Sequence, residues 1–546
     1  MHPGACLFSQ KMHDFLRPKW HLLMEPDERY ESYFKPLVDR PGSRYCHTHL
    51  VGAHPKRYWE SYRTVLGDPM LLPPRPALPI GDPKLRQFDP SLLVIGNLER
   101  TYASSKMELS LLLLHQLPNA ALSNELFQRS GLVRMLWWIP ERIKHQILTR
   151  SAMGRTSFSH GIEMGVEPVE VAGATSVQVL RDATMFSGKR PSFYDRINME
   201  QVAKRMRDSG ISPPEGRELL GIDYAEDVKV TDDLHKSPFK DKAVNLAEFQ
   251  IKIDKVRDRI KLVRQATQAK RRAMASSIEY PQCEAVISRK LSRSNLSATR
   301  APLFMDISLQ IINLEYNYKN LEDTSVDKDL LDVLRTDILR LDTEMRDLIN
   351  VYSDVMLSII IDCNEEQIGF YMEPQHLPLD RRPFEPLKLS GSDVFPAMNH
   401  LALLDLMPKP RDLSVPDLAD NKEGTRICTE MLQQLYSAKN RSVVEALNTF
   451  AVNAGQDLVP LVPAIYDVRK GGRMNPKMIR ARMLTEEMVE GLVHAFFEWP
   501  FKPQKWELAV MGGQGSPADA DSGGEGGGEG EAEGEEGEEG EAVAEE

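Results

Sequence analysis

The 546-residue chain is 41% hydrophobic and 27% charged, a composition typical of globular proteins with roughly two to four domains. Its apolar runs are shorter than the roughly 18 residues that a transmembrane helix needs, so we expect no membrane partner. Its five cysteines are scattered without a CxxC pair, which argues against a disulfide framework or structural metal site and suits a reducing compartment.

The net charge of -12 comes from the C-terminal tail. Residues 519–546 contain 13 acidic residues and no basic one, so the rest of the chain has 68 basic against 67 acidic residues. A Gly/Glu-rich segment has too little apolar surface to form a core, and we expect the tail to be disordered.

The first hundred residues alternate between helix-like and strand-like patterns. Residues 8–16 predict a helix that Pro18 ends, and residues 21–24 and 92–95 predict short buried strands. Short apolar runs bounded by turn residues, with helices between them, are typical of a parallel α/β sheet.

Heptad patterns begin after residue 226. One apolar seam runs from Leu246 to Val263 and a second from Leu331 to Val355, with a further helical stretch at 307–321. The two seams predict long helices that pack as an antiparallel pair. Beyond them, residues 401–406 predict a strand, and residues 425–447 and 485–497 predict amphipathic helices.

A possible nucleotide site lies near the start of the chain. Pro3-Gly4 is a turn in which glycine would let the backbone approach a ligand, and Glu25 follows a strand 21 residues later. A carboxylate at that place accepts hydrogen bonds from ribose hydroxyls, but an ordinary loop and a surface Glu would give the same pattern.

Several motifs occur in an order that resembles the rRNA adenine N6-dimethyltransferases. The order is Pro3–Ser9, Leu22–Asp27, Leu93–Leu98 and Trp137–Arg142, followed by Leu403–Pro408 as a closing strand. Together with the Trp-Pro-Phe-Lys-Pro run at 499–503, they resemble the fungal mitochondrial transcription factor B form of this family.

The resemblance implies an α/β fold of the class I S-adenosylmethionine methyltransferase type (Rossmann-like). The family has a first strand upstream of the Pro-Gly turn, so the methyltransferase-like domain is expected to be N-terminally truncated. The expected segments are a methyltransferase-like domain at 1–225, a helical coiled-coil-like insertion at 226–375, a return to the sheet at 376–410, a helical C-terminal domain at 411–510 and the acidic tail at 511–546.

The resemblance also implies a possible S-adenosyl-L-methionine site with Gly4, Glu25 and Asn97 as cofactor-binding residues and Asn97 as the catalytic residue. The chain departs from the family pattern after Asn97, where Glu99-Arg100 replaces the Pro-Tyr that grips the target adenine. Cys6 replaces a loop glycine, and we expect its side chain to crowd the methionine moiety. These departures favour binding over methyl transfer.

Two basic clusters are candidates for phosphate contacts. Residues 252–272 carry nine Lys or Arg against two Asp, with Lys255, Lys261 and Arg264 as representatives. The second cluster contains Arg469, Lys470 and Arg473. For the first cluster, nucleic acid or an acidic protein partner remains as plausible as the charged flank of a coiled coil.

The resemblance implies a mitochondrial matrix protein that assists the mitochondrial RNA polymerase at promoter DNA. The alternative is an S-adenosylmethionine-dependent enzyme that dimethylates adenines of small-subunit rRNA. A third hypothesis treats residues 226–375 as a protein-docking arm on a methyltransferase-like scaffold.

Overall fold

Seven strands and sixteen helices make up the regular structure of the residues that the computed structural model describes. These are residues 1–52, 58–99, 109–174, 190, 192–215, 217, 237, 239, 246–268, 297–324, 327–350, 354–390, 392–394, 400–413 and 422–503. Residues 1–502 form one compact unit. The acidic tail, Arg100, Tyr102 and Lys270–Arg272 lie outside the described residues.

The strands form two sheets and give a mixed α/β fold. The strands are β1 (His21–Met24), β2 (Tyr45–Thr48), β3 (Phe88–Asn97), β4 (Leu132–Pro140), β5 (Val166–Ala174), β6 (Leu387–Leu389) and β7 (Leu401–Pro408). β1 and β2 pair in parallel, and the larger sheet has the order β3-β4-β7-β5-β6. β3 is parallel to β4 and β5 to β6, whereas β7 runs antiparallel to both of its neighbours.

The first two residues of the chain bridge the two sheets. The Met1 amino group donates to the Ile95 carbonyl at 2.7 Å, and the Asn97 N–H donates to the Met1 carbonyl at 3.2 Å. On the other side, the His2 N–H donates to the Met24 carbonyl at 2.8 Å. The carboxyl ends of β1 and β3 are therefore held next to each other.

The predicted strands at 21–24, 92–95 and 401–406 are confirmed, and the predicted helix at 8–16 is α1. The helices are α1 (Leu7–Leu16), α2 (Glu31–Val38), α3 (Tyr58–Gly67), α4 (Leu109–Leu122), α5 (Glu141–Ile147), α6 (Ser157–Gly165), α7 (Ser192–Asp208), α8 (Leu246–Gln268), α9 (Ser297–Thr324), α10 (Lys328–Asn350), α11 (Asp354–Tyr371), α12 (Pro378–Arg381), α13 (Lys422–Ser437), α14 (Val443–Phe450), α15 (Ala454–Leu458) and α16 (Glu486–Glu498). None of the helices described is both long and apolar enough to cross a membrane.

The first heptad seam forms α8 and the second forms α10 as far as Leu348, whereas Val355 lies in α11 and residues 351–353 lie outside the described residues. The predicted antiparallel pairing is wrong. Arg257 and Arg264 of α8 form ion pairs with Asp337 and Glu344 of α10, so the register advances in the same direction along both helices. α8 and α10 are parallel because the helix between them, α9, packs against both and returns the chain. The apolar core of this up-down-up bundle includes the seam residues from Phe249 to Val263 and from Leu331 to Leu348.

The predicted helix at 425–447 is two helices, α13 and α14. The break falls before Ser442, whose side chain accepts from the Glu445 N–H while the Glu445 carboxylate accepts from the Ser442 N–H. This capping box starts a new helix where the apolar periodicity alone predicts continuation.

Buried ion pairs join the helical bundle to the C-terminal helices. Arg480 donates to Asp362 of α11 at 2.6 Å, and Arg482 donates to Glu365 at 2.6 Å. Arg155 donates to Glu163 at 2.7 Å and to the carbonyl of Leu484 at 2.6 Å, which ties the same segment to the sheet domain.

A half-buried histidine, His145, is expected to make the fold sensitive to acid. Burial, followed by the nearby Lys144 and Arg150 cations, lowers the pKa of His145 from 6.5 to about 3. The unfolded chain binds this proton below about pH 6.5, so stability is lost as the pH falls from there toward 3. At pH 5 the loss is about 2 kcal/mol, because each pKa unit corresponds to about 1.4 kcal/mol.

Between pH 7 and pH 5, we therefore expect the free energy of unfolding to fall by about 2 kcal/mol less in His145→Leu than in the unchanged chain. Urea unfolding followed by circular dichroism at the two pH values measures the difference. The same pH dependence in both proteins would show that His145 is not buried as described.

Candidate functional site

Gly4 and Glu25 are in direct contact, as their positions in the sequence predict. The Gly4 N–H donates to Glu25 Oε2 at 2.9 Å, and the Asp27 N–H donates to Oε1 at 3.1 Å. Gly4 has a φ of +54°, a left-handed conformation that favours glycine. The turn and the strand end thus form one unit, with the Glu25 carboxylate 1% exposed beneath the loop.

Cys6 lies in the same loop, but its side chain does not occupy the place expected from the resemblance. The side chain is fully buried against Leu23 and Phe34, so it packs below the loop and does not crowd a ligand above it. Its φ of +59° is left-handed, a conformation in which glycine is less strained. Burial, followed by the Glu25 charge, raises the pKa of the thiol to about 11, so it stays protonated at neutral pH.

Asn97 ends β3 at the same edge of the sheet. Its side-chain oxygen accepts from the Glu99 N–H at 2.9 Å, which forms a turn after the strand. Among the described residues, none is bonded to Nδ2 of Asn97, so its two N–H groups can donate to a ligand. The Asn97 N–H donates to the carbonyl of Met1, which precedes Gly4 by three residues in the chain.

An aromatic pair adjoins Asn97. Trp138 of β4 is the register partner of Asn97 in the parallel ladder, and its half-buried ring meets Phe8 of α1 edge-on at 5.6 Å. Its neighbour Trp137 points to the other face of the sheet and is 1% exposed. Because side chains alternate along a strand, one tryptophan lies in the core and the other lies beside Asn97.

The described residues fit S-adenosylmethionine only in part. Glu25 is a carboxylate at the end of the second strand, but both of its oxygens already accept backbone N–H groups and the side chain is nearly inaccessible. Each oxygen can accept a further hydrogen bond, so burial beneath the loop, and not the backbone donors, separates Glu25 from a ribose. No reaction step follows from this loop geometry.

Part of the positive charge of the basic helix α8 is not neutralised by ion pairs with described residues. Lys255 is exposed and forms no ion pair with a described residue, whereas Lys261 pairs with Asp258 at 3.2 Å and Arg264 pairs with Glu344 at 3.4 Å. Exposed ion pairs of this kind are weak. Neighbouring carboxylates therefore reduce the net positive charge of α8. Phosphate binding by this helix remains a prediction.

The C-terminal cluster is divided between surface and core. Arg469 pairs with Asp467 and Asp323, and Lys470 pairs with Glu487 at 2.5 Å. Arg473 is 3% exposed and binds the Glu315 carboxylate through two nitrogens at 2.8 and 2.9 Å. Arg473 therefore cannot contact phosphate in this conformation, and the cluster is not one continuous basic surface.

Two features of the site were not predicted. The sequence predicts a helix over residues 8–16 but does not indicate that Phe8 contacts Trp138 beside the candidate site. The exposed cations at the end of α1, Lys11, Arg17 and Lys19, were not singled out because apolar residues separate them. A charge count around the helix end would have found them.

No protein-family model, no curated protein and no solved structure matches this chain. Within the described ranges, no group of three or more His, Cys, Asp or Glu side chains is arranged to hold a metal ion.

Proposed function

We propose that the chain is a mitochondrial transcription initiation factor with a methyltransferase-like, nucleic-acid-binding domain that assists the mitochondrial RNA polymerase at promoters. The observation that carries the proposal is the convergence of Gly4, Glu25 and Asn97. These residues belong to three separate motifs of the resemblance: Gly4 and Glu25 are in contact at the carboxyl end of β1, and Met1 and His2 link this end to Asn97 at the carboxyl end of β3. Ligands of open α/β sheets bind at this edge.

The sheet topology gives further support. Met1 and His2 connect β1 to β3, and β7 is the antiparallel strand between β4 and β5. The motif interpreted as a closing strand of the methyltransferase sheet is β7. A mixed sheet with one reversed strand is compatible with the proposed class I methyltransferase-like fold.

The same edge is suited to hold an unstacked base. The Trp138 ring offers a stacking surface, and the free N–H groups of Asn97 can donate to the edge of a base. Stacking a base on an aromatic ring contributes about 1–3 kcal/mol, comparable with the roughly 1.4 kcal/mol of one DNA stacking step. Capture of a few bases therefore offsets the cost of opening a few base pairs.

The enzyme alternative has less support. Both oxygens of the buried Glu25 carboxylate accept hydrogen bonds from backbone N–H groups. The sequence after Asn97 lacks the Pro-Tyr pair that would hold the target adenine. Methyl transfer needs a bound cofactor, so calorimetric titration with S-adenosylmethionine separates the two functions. We expect no binding; micromolar binding would favour the dimethyltransferase.

Replacing Trp138 tests the proposed base site. We expect the protein to bind a DNA duplex with a mismatched bubble more tightly than the fully paired duplex, and Trp138→Ala to weaken bubble binding about tenfold. Fluorescence anisotropy of labelled DNA measures both affinities. Trp138→Phe keeps a ring and is the matched control, expected to retain most of the affinity.

Equal affinity for bubble and duplex would contradict the proposed function. If Trp138→Ala still prefers the bubble, the unpaired bases bind at a place other than Trp138.

A further inference from the structure

One group of exposed cations without ion pairs to described residues lies on α1 and at the turn after it. Lys11, Arg17, Lys19 and Arg44 are exposed, and none of them forms an ion pair with a described residue. In contrast, the cations singled out in the sequence are largely paired with carboxylates, as for Lys261, Arg264, Arg469 and Lys470.

Arg17, Lys19 and Arg44 are brought near one another because the chain turns sharply after α1. Arg17 ends the helix in a left-handed conformation, and Arg44 donates to the Pro18 carbonyl at 3.3 Å, which brings the start of β2 beside this turn. Asp14 is the one acidic residue between positions 7 and 21. Within residues 7–21, Lys11, Arg17 and Lys19 against Asp14 leave a net charge of about +2, and Arg44 adds a further cation beside the turn.

Exposed aromatic rings lie among these cations. Phe15 is 81% exposed and lies one helical turn from Lys11, and Trp20 is 41% exposed next to Lys19. α1 has no buried residue, although it carries Leu7 and Leu16 as well as the aromatic residues. Exposed apolar groups in this number indicate a binding surface.

A rigid base supports this surface. The rings of His13 of α1 and His21 of β1 stack on Tyr45 of β2, with ring centres 4.2 and 4.8 Å from that of Tyr45. Burial lowers the pKa of His21 to about 4, so its ring is neutral at pH 7 and the charge of the surface comes from Lys and Arg. The helix is thus held against the small sheet with its cations facing solvent.

We propose that Lys11, Arg17, Lys19 and Arg44, together with Phe15 and Trp20, form a single-stranded nucleic-acid surface, called here the α1 cation patch. The cations contact phosphates and the two rings stack on unpaired bases, the combination that binds single strands without sequence preference. Duplex DNA keeps its bases stacked and cannot use the rings. This inference rests on the proposed nucleic-acid-binding function and adds to the Trp138 site a second surface that contacts the single strand.

The test compares two matched triple variants of the full chain. One replaces Lys11, Arg17 and Lys19 with Gln, and the other replaces Lys255, Lys261 and Arg264 of α8 with Gln. Binding of labelled single-stranded oligo(dT) is measured by anisotropy at several salt concentrations. Each phosphate contact contributes about 0.7 to the slope of log K against log salt, so the first variant should flatten it by about 2.

The α8 variant should leave the slope unchanged. Phe15→Ala should weaken single-strand binding about five- to one-hundred-fold at every salt concentration without altering the slope. Since Phe15 is highly exposed, the circular dichroism spectrum and thermal midpoint of Phe15→Ala should match those of the unchanged chain. This match separates a loss of stacking from a loss of folding.

Three results would overturn the α1 cation patch. A flatter slope for the α8 variant and not for the α1 variant would assign binding to α8 and leave the proposed function standing. Tighter binding to vesicles containing phosphatidylserine than to oligo(dT) would make the patch a membrane surface. No oligonucleotide binding by the unchanged chain, even at low salt, would remove both the patch and the proposed function.

Discussion

Replacing Arg473 with Ala is expected to destabilise the protein by about 3–5 kcal/mol, because it leaves buried carboxylates without their partner. The Arg473 guanidinium binds Glu315 through two nitrogens and lies 3.3 Å from Asp342. Both carboxylates are at most 4% exposed. A urea-unfolding midpoint followed by circular dichroism measures the loss.

The pH dependence identifies the cause. Burial raises the pKa of Glu315 and Arg473 opposes this shift, so removing the cation raises the pKa further. Glu315 then takes up a proton in the folded variant, and the difference from the unchanged chain should shrink as the pH falls toward 5. Arg473→Lys keeps the charge but loses the two-point contact, and should lose less stability.

Lys477→Ala is the matched control, since Lys477 is an exposed cation in the same segment and should change stability by less than about 0.5 kcal/mol. If Arg473→Ala folds as stably as Lys477→Ala but binds nucleic acid less tightly, Arg473 contacts phosphate and the description of the core is wrong.

Replacing Gly96 with Ala is expected to cost about 3 kcal/mol, at the upper end of the usual range for overpacking. A Cβ at Gly96 would lie 2.0 Å from Cζ3 of Trp137 and 2.5 Å from Cε3. The Trp137 ring is 1% exposed and packs in the main core, so it has no room to withdraw. Thermal unfolding measures the loss.

Gly161→Ala is the control, because nothing lies within 4 Å of the added methyl group and alanine favours the helix. Trp137→Leu in the Gly96→Ala background should recover part of the loss, since a smaller side chain relieves the contact. Equal stabilities of the two glycine variants would contradict the packing of β3 against Trp137.

The sequence predicts those features that depend on neighbouring residues. The strand runs and the α8 seam follow from local periodicity, and the contact between Gly4 and Glu25 follows from a turn and a strand end that lie 21 residues apart. The capping box at Ser442 is also a local signal, but the continuous apolar pattern of residues 425–447 concealed it.

The features that the sequence did not predict depend on distant contacts. In the sequence, Arg473 belongs to a basic cluster that predicts a surface position. In the structure it is buried beside its partner Glu315, which is 158 residues away in the chain. The parallel arrangement of α8 and α10 depends on α9, whose packing between them no heptad pattern specifies. In the same way, the charge of α8 is reduced by α10, whereas the cations of α1 meet no described carboxylate.

Run-off transcription with the cognate mitochondrial RNA polymerase tests the central proposal most directly. Capture of unpaired bases lowers the cost of melting, so we expect the chain to increase initiation on a closed linear promoter. On a template already mismatched around the start site, that increase should largely disappear. Initiation on the closed promoter that is unchanged by this protein would contradict the proposed function.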